Sequence, residues 1–221
     1  MKNELQKAKI YLVDDHPIVR KGITQVINQE EDLEVCGSTD SADQTLRDVE
    51  RLKPDCVIVD ISLEGISGID IVKGLKTRYP GLYTMVLSMH DESIYAERAL
   101  RAGARGYVMK KEASEKIVGA IRHVLTGKIF LSDDMSSRLL EKMATGGHED
   151  DASPLDLLTN RELEIFRMIG RGYKPRDIAK ELNLSPKTIE TYRDHIKKKL
   201  NLGSASELAR VAVDWVSTMN M

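Results

Sequence analysis

Lys9-Ile-Tyr-Leu-Val-Asp14-Asp15 and Cys56-Val-Ile-Val-Asp60 are the two stretches that decide how this chain folds. Each is a short apolar run of strand composition that stops on acid. If the two strands are parallel, Asp14, Asp15 and Asp60 emerge together at the C-terminal edge of one sheet, where open α/β folds bind their ligands. Three carboxylates meeting there repel one another unless a cation sits among them, and an all-oxygen set suits Mg²⁺. Singly, each acid is an ordinary strand-end turn former. Their joint placement is what argues for a site.

Further strand-like runs at 33–37, 83–87 and 106–109 alternate with helical patterns near 17–29, 42–53, 67–79, 94–102 and 115–126. This is a repeated βα unit, which implies a parallel sheet with crossover helices on both faces. Pro17 suits the first turn of its helix, and Gly103 and Gly127 suit positions just past the ends of theirs. A further amphipathic helix is expected from Asp133 to Met143, capped by Ser132, with Met135, Leu139, Leu140 and Met143 on one side. The small, polar and acidic stretch from Ala144 to Pro154 then reads as a linker.

Beyond the linker every segment reads as helix. Thr159-Asn-Arg-Glu162 is a capping box ahead of Leu163, Phe166 and Ile169, and Gly172 is a stop. Pro175 opens a short helix ending near Leu182, although Lys174 is a poor cap for it. Ser185 and Pro186 open a longer helix to Leu200. Ser204-Ala-Ser-Glu207 is a second capping box before a last helix carrying Leu208, Val211, Ala212 and Trp215 on one face. Such a set forms a small four-helix bundle containing a helix-turn-helix.

The bulk numbers agree with two domains. The chain has 221 residues, with 41% hydrophobic and 31% charged, which is ordinary for a globular protein and comfortable for two domains. It holds no apolar run of about 18 residues, and Met1-Lys-Asn-Glu starts no signal peptide, so no membrane role is expected. Cys36 and Cys56 lie in strand-like runs without metal-ligand spacing, and read as reduced core residues of a cytoplasmic protein. Residues 1–154 hold 21 Lys and Arg against 26 Asp and Glu, whereas 155–221 hold 12 against 9. The basic second part hints at nucleic acid.

Asp14-Asp15-His-Pro, Asp60, Leu87-Ser88-Met-His-Asp and Gly106-Tyr-Val-Met-Lys110, in this order over about residues 7–127, resemble the receiver domain of bacterial two-component response regulators. That resemblance implies a flavodoxin-like doubly wound sheet, with Asp60 as the phosphoacceptor. It further implies that Asp14, Asp15, Asp60 and the Ser62 main-chain carbonyl hold Mg²⁺, and that Lys110 reaches the phosphoryl oxygens. Ser88 and Tyr107 would be the switch: the Ser88 hydroxyl is drawn to the phosphoryl group and Tyr107 turns into the space it leaves. Lys111 stands where many receivers have proline.

Leu158-Thr-Asn-Arg-Glu-Leu-Glu-Ile-Phe166, Gly170-Arg-Gly-Tyr, Asp177-Ile-Ala-Lys-Glu-Leu and Ser185-Pro-Lys-Thr-Ile-Glu-Thr-Tyr-Arg193 resemble the DNA-binding domain of the LuxR/FixJ/NarL type, over about residues 155–217. The helix from Pro186 to Leu200 would then be the recognition helix, turning Ile189, Ile196 and Leu200 to the bundle. Lys187, Thr188, Glu190, Thr191, Arg193, Asp194, Lys197 and Lys198 are its expected DNA-facing residues. Glu190 and Asp194 count against that face, because acids are repelled by phosphate unless neighbouring cations offset them.

Together these readings divide the chain into a receiver at 1–127, a linker helix and flexible linker at 128–154, and a helix-turn-helix domain at 155–221. The implied function is a phosphorylation-dependent regulator that takes a phosphoryl group from a sensor histidine kinase, binds double-stranded promoter DNA, and forms a homodimer on phosphorylation or on DNA. It is not expected to be an enzyme on an external substrate. A phosphohydrolase is disfavoured, because Asp60-Ile-Ser62 lacks the second acid that dehalogenase-like phosphatases place two residues after their nucleophile. A module whose helical tail binds protein instead of DNA is the third reading.

Overall fold

A computed structural model describes residues 7–63, 66–144 and 154–219. These fall in two compact units, the first ending at Lys142 and the second beginning at Met143. Most of the stretch read as flexible linker, residues 145–153, lies outside the described residues.

In the first unit, strands β1 (Ala8–Val13), β2 (Leu33–Thr39), β3 (Cys56–Asp60), β4 (Tyr83–Ser88) and β5 (Gly106–Met109) form one parallel sheet in the order β2-β1-β3-β4-β5. The helices between them are α1 (Pro17–Asn28), α2 (Ala42–Leu52), α3 (Gly68–Arg78) and α4 (Glu92–Ala102), with α5 (Ala113–Leu125) after β5. The alternation predicted a parallel sheet covered on both faces, and the observed order is the flavodoxin-like doubly wound arrangement that the resemblance implies. Central strand β3 is buried along its whole length, which explains why its sequence runs apolar without alternation. On one face Ile10, Leu12, Ile58, Met85, Leu87 and Val108 pack with Ile23 and Ile27 of α1 and Ile117, Ile121 and Val124 of α5. The strand order reverses between β1 and β3, so Asp14 and Asp60 leave the sheet at its switch point.

Sequence and structure part at a few places. The α4 helix starts at Glu92, earlier than the apolar pattern suggests, because the Asp91 side chain caps it by accepting from the Ser93 N–H. Cys56 is buried, but Cys36 is only half-buried. The β1–β2 register steps from Ile10↔Val35 to Tyr11↔Gly37, which makes Cys36 the extra residue of a bulge in an edge strand.

After α5 the chain stays with the first unit. Phe130 bridges to Gly106 in parallel and extends the sheet beside β5. Ser132 then caps α6 (Asp133–Ala144), accepting from the Met135 N–H at 3.1 Å. Of the apolar side expected on this helix, Met135 is buried, whereas Leu140 and Met143 are exposed.

The second unit contains α7 (Asn160–Gly170), α8 (Pro175–Glu181), α9 (Pro186–Lys199) and α10 (Ala205–Met219), with a 3₁₀ turn at Pro154–Leu157 ahead of α7. The Thr159–Glu162 capping box is formed in both directions. Lys174 supplies no side-chain cap to α8, yet Pro175 at its first position keeps that helix regular. At α10 the Ser204 hydroxyl caps the Glu207 N–H, but the Glu207 carboxylate accepts from Gly203 one residue early. The Leu208–Trp215 stripe packs inward: Leu208 and Ala212 are buried, and the Trp215 ring lies 5.6 Å from Phe166.

Gly68, at the start of α3, is where the fold is least tolerant of a side chain. A Cβ there would lie 1.8 Å from the Asp60 carbonyl oxygen, and the Gly68 N–H donates to Ile61 O at 2.8 Å. The helix is thereby pressed directly onto the backbone that carries the third acid. Gly68→Ala is expected to lower stability by about 2 kcal/mol or more in chemical denaturation, since backbone has no flexible end to give way. Gly74→Ala, in open space on the same helix, is expected to be neutral or to add about 0.5–1 kcal/mol. Equal effects at both positions would contradict this account.

Candidate functional site

Parallel strands bring the three acids to one place. Ligand atoms of Asp14, Asp15, Asp60 and His16 all lie within 4.8 Å of one another. The Asp14 N–H still pairs with Thr39 O at 3.0 Å, as an extension of the sheet, so its carboxylate is placed by backbone geometry. From the end of β5, Lys110 sends its Nζ to 2.6 Å from Asp60 Oδ2 and 2.7 Å from Asp14 Oδ2, with its side chain only 5% exposed.

Electrostatics at this cluster are finely balanced. Burial, aided by the Asp14 charge, pushes the Asp60 carboxyl up to about 7, and Lys110 and the Ser62 N–H work against that rise. Burial alone would lower Lys110, but Asp60 and Asp14 more than offset it and hold the ammonium above its usual range. Asp14 Oδ2 and Asp15 Oδ1 are buried without a well-formed hydrogen bond. Each lies instead beside a basic nitrogen, Lys110 Nζ for the first and His16 Nδ1, at 2.6 Å, for the second. Acceptors left in this condition, in an oxygen-rich set, fit a hard divalent cation such as Mg²⁺.

Ser62 donates its N–H to Asp60 Oδ1 at 3.3 Å, and its hydroxyl shares a 2.6 Å hydrogen bond with His90 Nε2. Ser88 ends β4, fully buried, and its hydroxyl accepts from the His90 N–H at 3.1 Å. Tyr107, the expected switch tyrosine, lies inward and buried, with its hydroxyl donating to the His90 carbonyl at 2.9 Å. His90 supplies the acceptor that makes this burial favourable. Its ring also stacks on Tyr95, centroids 4.9 Å apart.

His90 and His16 are therefore parts of the site that the sequence did not single out. Only proximity marked them, His90 two residues after Ser88 and His16 directly after the acid pair. Neither has strand or helix periodicity to give it away.

In the second unit, the exposed stripe of α9 contains Lys187, Glu190, Thr191, Asp194, His195 and Lys198, with Thr188 and Lys197 half-buried at its flanks. Arg193 is turned aside, 17% exposed, and pairs with Glu190 at 2.9 Å; Lys197 pairs with Asp194 at 2.9 Å. Those pairs answer the objection to acids on this face, since each carries a cation one turn away on its own helix. Lys199 reaches instead to Glu162 at 2.6 Å and ties α9 to the start of α7. His195, omitted from the expected contacts, lies on the exposed side.

An acidic pocket at the switch point of a flavodoxin-like sheet, in a chain that also carries a helix-turn-helix, defines the class of signal-responsive DNA-binding regulators. Comparison with known proteins agrees. Residues 10–122 match the response regulator receiver domain, and residues 156–212 match the bacterial regulatory proteins of the luxR family. The chain is 34% identical over 209 residues to the oxygen regulatory protein NreC of Staphylococcus haemolyticus, covering 93% of this chain and 96% of that one. It is 37% identical over 205 residues to the response regulator GacA of Pseudomonas aeruginosa, covering 93% and 95%. A solved structure of RcsB from Salmonella enterica serovar Typhimurium, bound to promoter rprA in the presence of phosphomimetic BeF₃⁻, aligns with a TM-score of 0.58 at 27% identity, covering 93% of this chain and 98% of that one. The chain belongs to the two-component response regulators of the NarL/FixJ type, with a receiver domain and a LuxR-type DNA-binding domain.

The state of the Asp60 carboxyl has a measurable consequence for the cation-free protein. Its folded value, about 7, stands above the ordinary 3.8, so the unfolded chain releases this proton first and stability falls as pH rises from about 4 to 7. Asp60→Asn removes that loss. The variant is expected to gain stability relative to the parent at pH 8 compared with pH 5, in thermal unfolding with a chelator present. An equal difference at both pH values would mean that Asp60 ionises as an exposed carboxyl.

Proposed function

We propose that Asp60 accepts a phosphoryl group from a sensor histidine kinase and that the loaded protein binds promoter DNA. The observation that carries this reading is the Asp14–Lys110–Asp60 arrangement: a buried carboxylate beside an equally buried ammonium. An Asp60 oxygen attacks phosphorus, the bond to the donor nitrogen breaks, and an aspartyl phosphate remains. Lys110, freed from part of its pairing with Asp60, turns its charge to the phosphoryl oxygens.

Asp14, Asp15 and Asp60, with the Ser62 main-chain carbonyl, are the residues that would hold Mg²⁺. When bound, the cation neutralises charge on the transferred group and aligns it. The chain thus takes part in its own phosphorylation and dephosphorylation without turning over an external substrate. This activity belongs in the cytoplasm, where a promoter is within reach.

For DNA, the exposed stripe of α9 is the reading surface, with Lys187 and Lys198 toward phosphate, Thr191 toward a thymine methyl and Glu190 toward a cytosine amino group. Thr188, Arg193 and Lys197 flank it, and with Asp194 on the stripe they set its register. The solved RcsB structure is bound to a promoter, which supports a similar use here. Two copies would pair through the side of α10 that carries the exposed Val213, because the inward stripe is occupied.

With Mg²⁺ and a small acyl phosphate, the parent is expected to gain one phosphoryl group by intact mass, and Asp60→Asn none. Asp15→Ala should lose most of the Mg²⁺-dependent rise in Tm, which for a ligand at a hundredfold its dissociation constant corresponds to about 2.7 kcal/mol. Persistent labelling of Asp60→Asn would overturn the acceptor assignment.

For the recognition helix, Lys198→Ala is expected to weaken all DNA sequences alike and to reduce the salt slope by about one unit, while Glu190→Ala relaxes preference at one base pair. Binding titrations at several salt concentrations check both. Unchanged affinity and slope would mark the face as merely solvated.

A further inference from the structure

His16 stands at the N-cap of α1 without doing the work of a cap. Ser, Thr, Asp or Asn usually holds that position and accepts from the first turn, but the His16 side chain makes no cap hydrogen bond, and Pro17 follows it. Its main-chain N–H donates back to Asp14 Oδ1 at 2.8 Å. That turn brings the imidazole over the acids, with Nδ1 2.6 Å from Asp15 Oδ1, 3.3 Å from Asp14 Oδ1 and 4.0 Å from Asp60 Oδ2. Among the described residues, these acids are the groups its ring nitrogen meets. The His16 side chain is 59% exposed, against 5% for Asp14 and 2% for Asp60, so it sits at the mouth of the pocket.

A nitrogen donor there changes which ion the cluster favours. Carboxylates alone suit Mg²⁺, a hard octahedral ion that keeps several of its waters. Imidazole suits borderline transition ions such as Zn²⁺ and Co²⁺. One oxygen from each of Asp14, Asp15 and Asp60, together with a ring nitrogen of His16, gives four donors within 4.8 Å of one another. Donors on a tetrahedral zinc ion are about 3.3 Å apart, a contraction that side-chain rotation supplies. Four protein donors close such an ion, whereas an open zinc site has three and keeps one position free.

We propose that His16 makes the acidic pocket a site for borderline transition ions, Zn²⁺ above all, and that such an ion, held by His16 and the three acids, takes the place of Mg²⁺ and blocks phosphoryl transfer to Asp60. The block rests on the reading of Asp60 given above; the ligand set does not. Mg²⁺ in an octahedral shell has positions left for a phosphoryl oxygen, and a tetrahedral ion closed by four protein donors has none. His16 is thereby the residue that sets the ion selectivity of the pocket.

Co²⁺, a spectroscopic stand-in for Zn²⁺, tests the ligand set on the full chain with no phosphoryl donor present. The parent should show the strong visible absorption of four-coordinate Co²⁺, abolished by added Zn²⁺. His16→Asn puts a good N-cap residue at the start of α1 and so keeps the helix. It should lose that absorption, and its ratio of Zn²⁺ to Mg²⁺ affinity, from calorimetric titration, should fall at least about tenfold, the cost of losing even an outer-shell partner. Asp15→Ala should lose the absorption too. Unchanged bands in either variant, or only the weak absorption of six-coordinate Co²⁺ in the parent, overturns the ligand set. Intact mass after incubation with an acyl phosphate then reads the block: the Zn²⁺-loaded parent should gain several-fold less phosphoryl than the Mg²⁺-loaded one. Equal labelling with the two ions overturns the block. If neither is labelled, it is the acceptor assignment that fails, and the cobalt spectra still decide the role of His16.

Discussion

A carboxylate buried at the end of a central strand is the constraint on which the rest of this structure depends. Asp60 cannot be moved outward, because β3 is covered along its length and Gly68 is pressed against its carbonyl. Nor can it stand alone there, since a charge removed from water must be paired. Lys110 provides the pairing from β5, and Asp14 shares that lysine from β1. Three strands distant in sequence are in this way committed to one register at one edge.

The same constraint makes the site responsive. Desolvation and the Asp14 charge raise Asp60, whereas the ammonium and the Ser62 N–H lower it, so the carboxyl sits close to neutrality of preference. On the proposed function, a group so balanced would change its partners when a cation arrives or a phosphoryl group is added. Around it lies a layer of hydrogen bonds among Ser62, Ser88, His90 and Tyr107. Because that layer is buried and discrete, displacement of one member moves the others instead of being absorbed. Tyr107 belongs to this layer, its ring inward and its hydroxyl on the His90 carbonyl.

On the proposed reading face, the DNA-binding domain has a different problem, that of presenting acids to a polyanion. Glu190 and Asp194 are paired with Arg193 and Lys197 on their own helix, leaving Lys187 and Lys198 outside those pairs on the exposed stripe. Lys199, which a charge count would add to that stripe, serves the fold through Glu162. The net charge of the helix therefore overstates the positive surface available to phosphate.

By itself the sequence determined the alternation of strands and helices, the acids at two strand ends, the capping boxes and the breakers, because each depends on a few neighbouring residues and on a period of two or 3.6. Family resemblance extended this to Asp60, Lys110, Ser88 and Tyr107 as one set. Only the tertiary structure decided what those residues touch. His90 joins Ser62 to Tyr107 across 28 and 17 positions of chain, a separation over which no local pattern operates. The bulge at Cys36 and the reach of Lys199 to Glu162 arise in the same way. Each is settled by which surfaces meet when the sheet closes, and packing at that range leaves no periodic trace in the chain that encodes it.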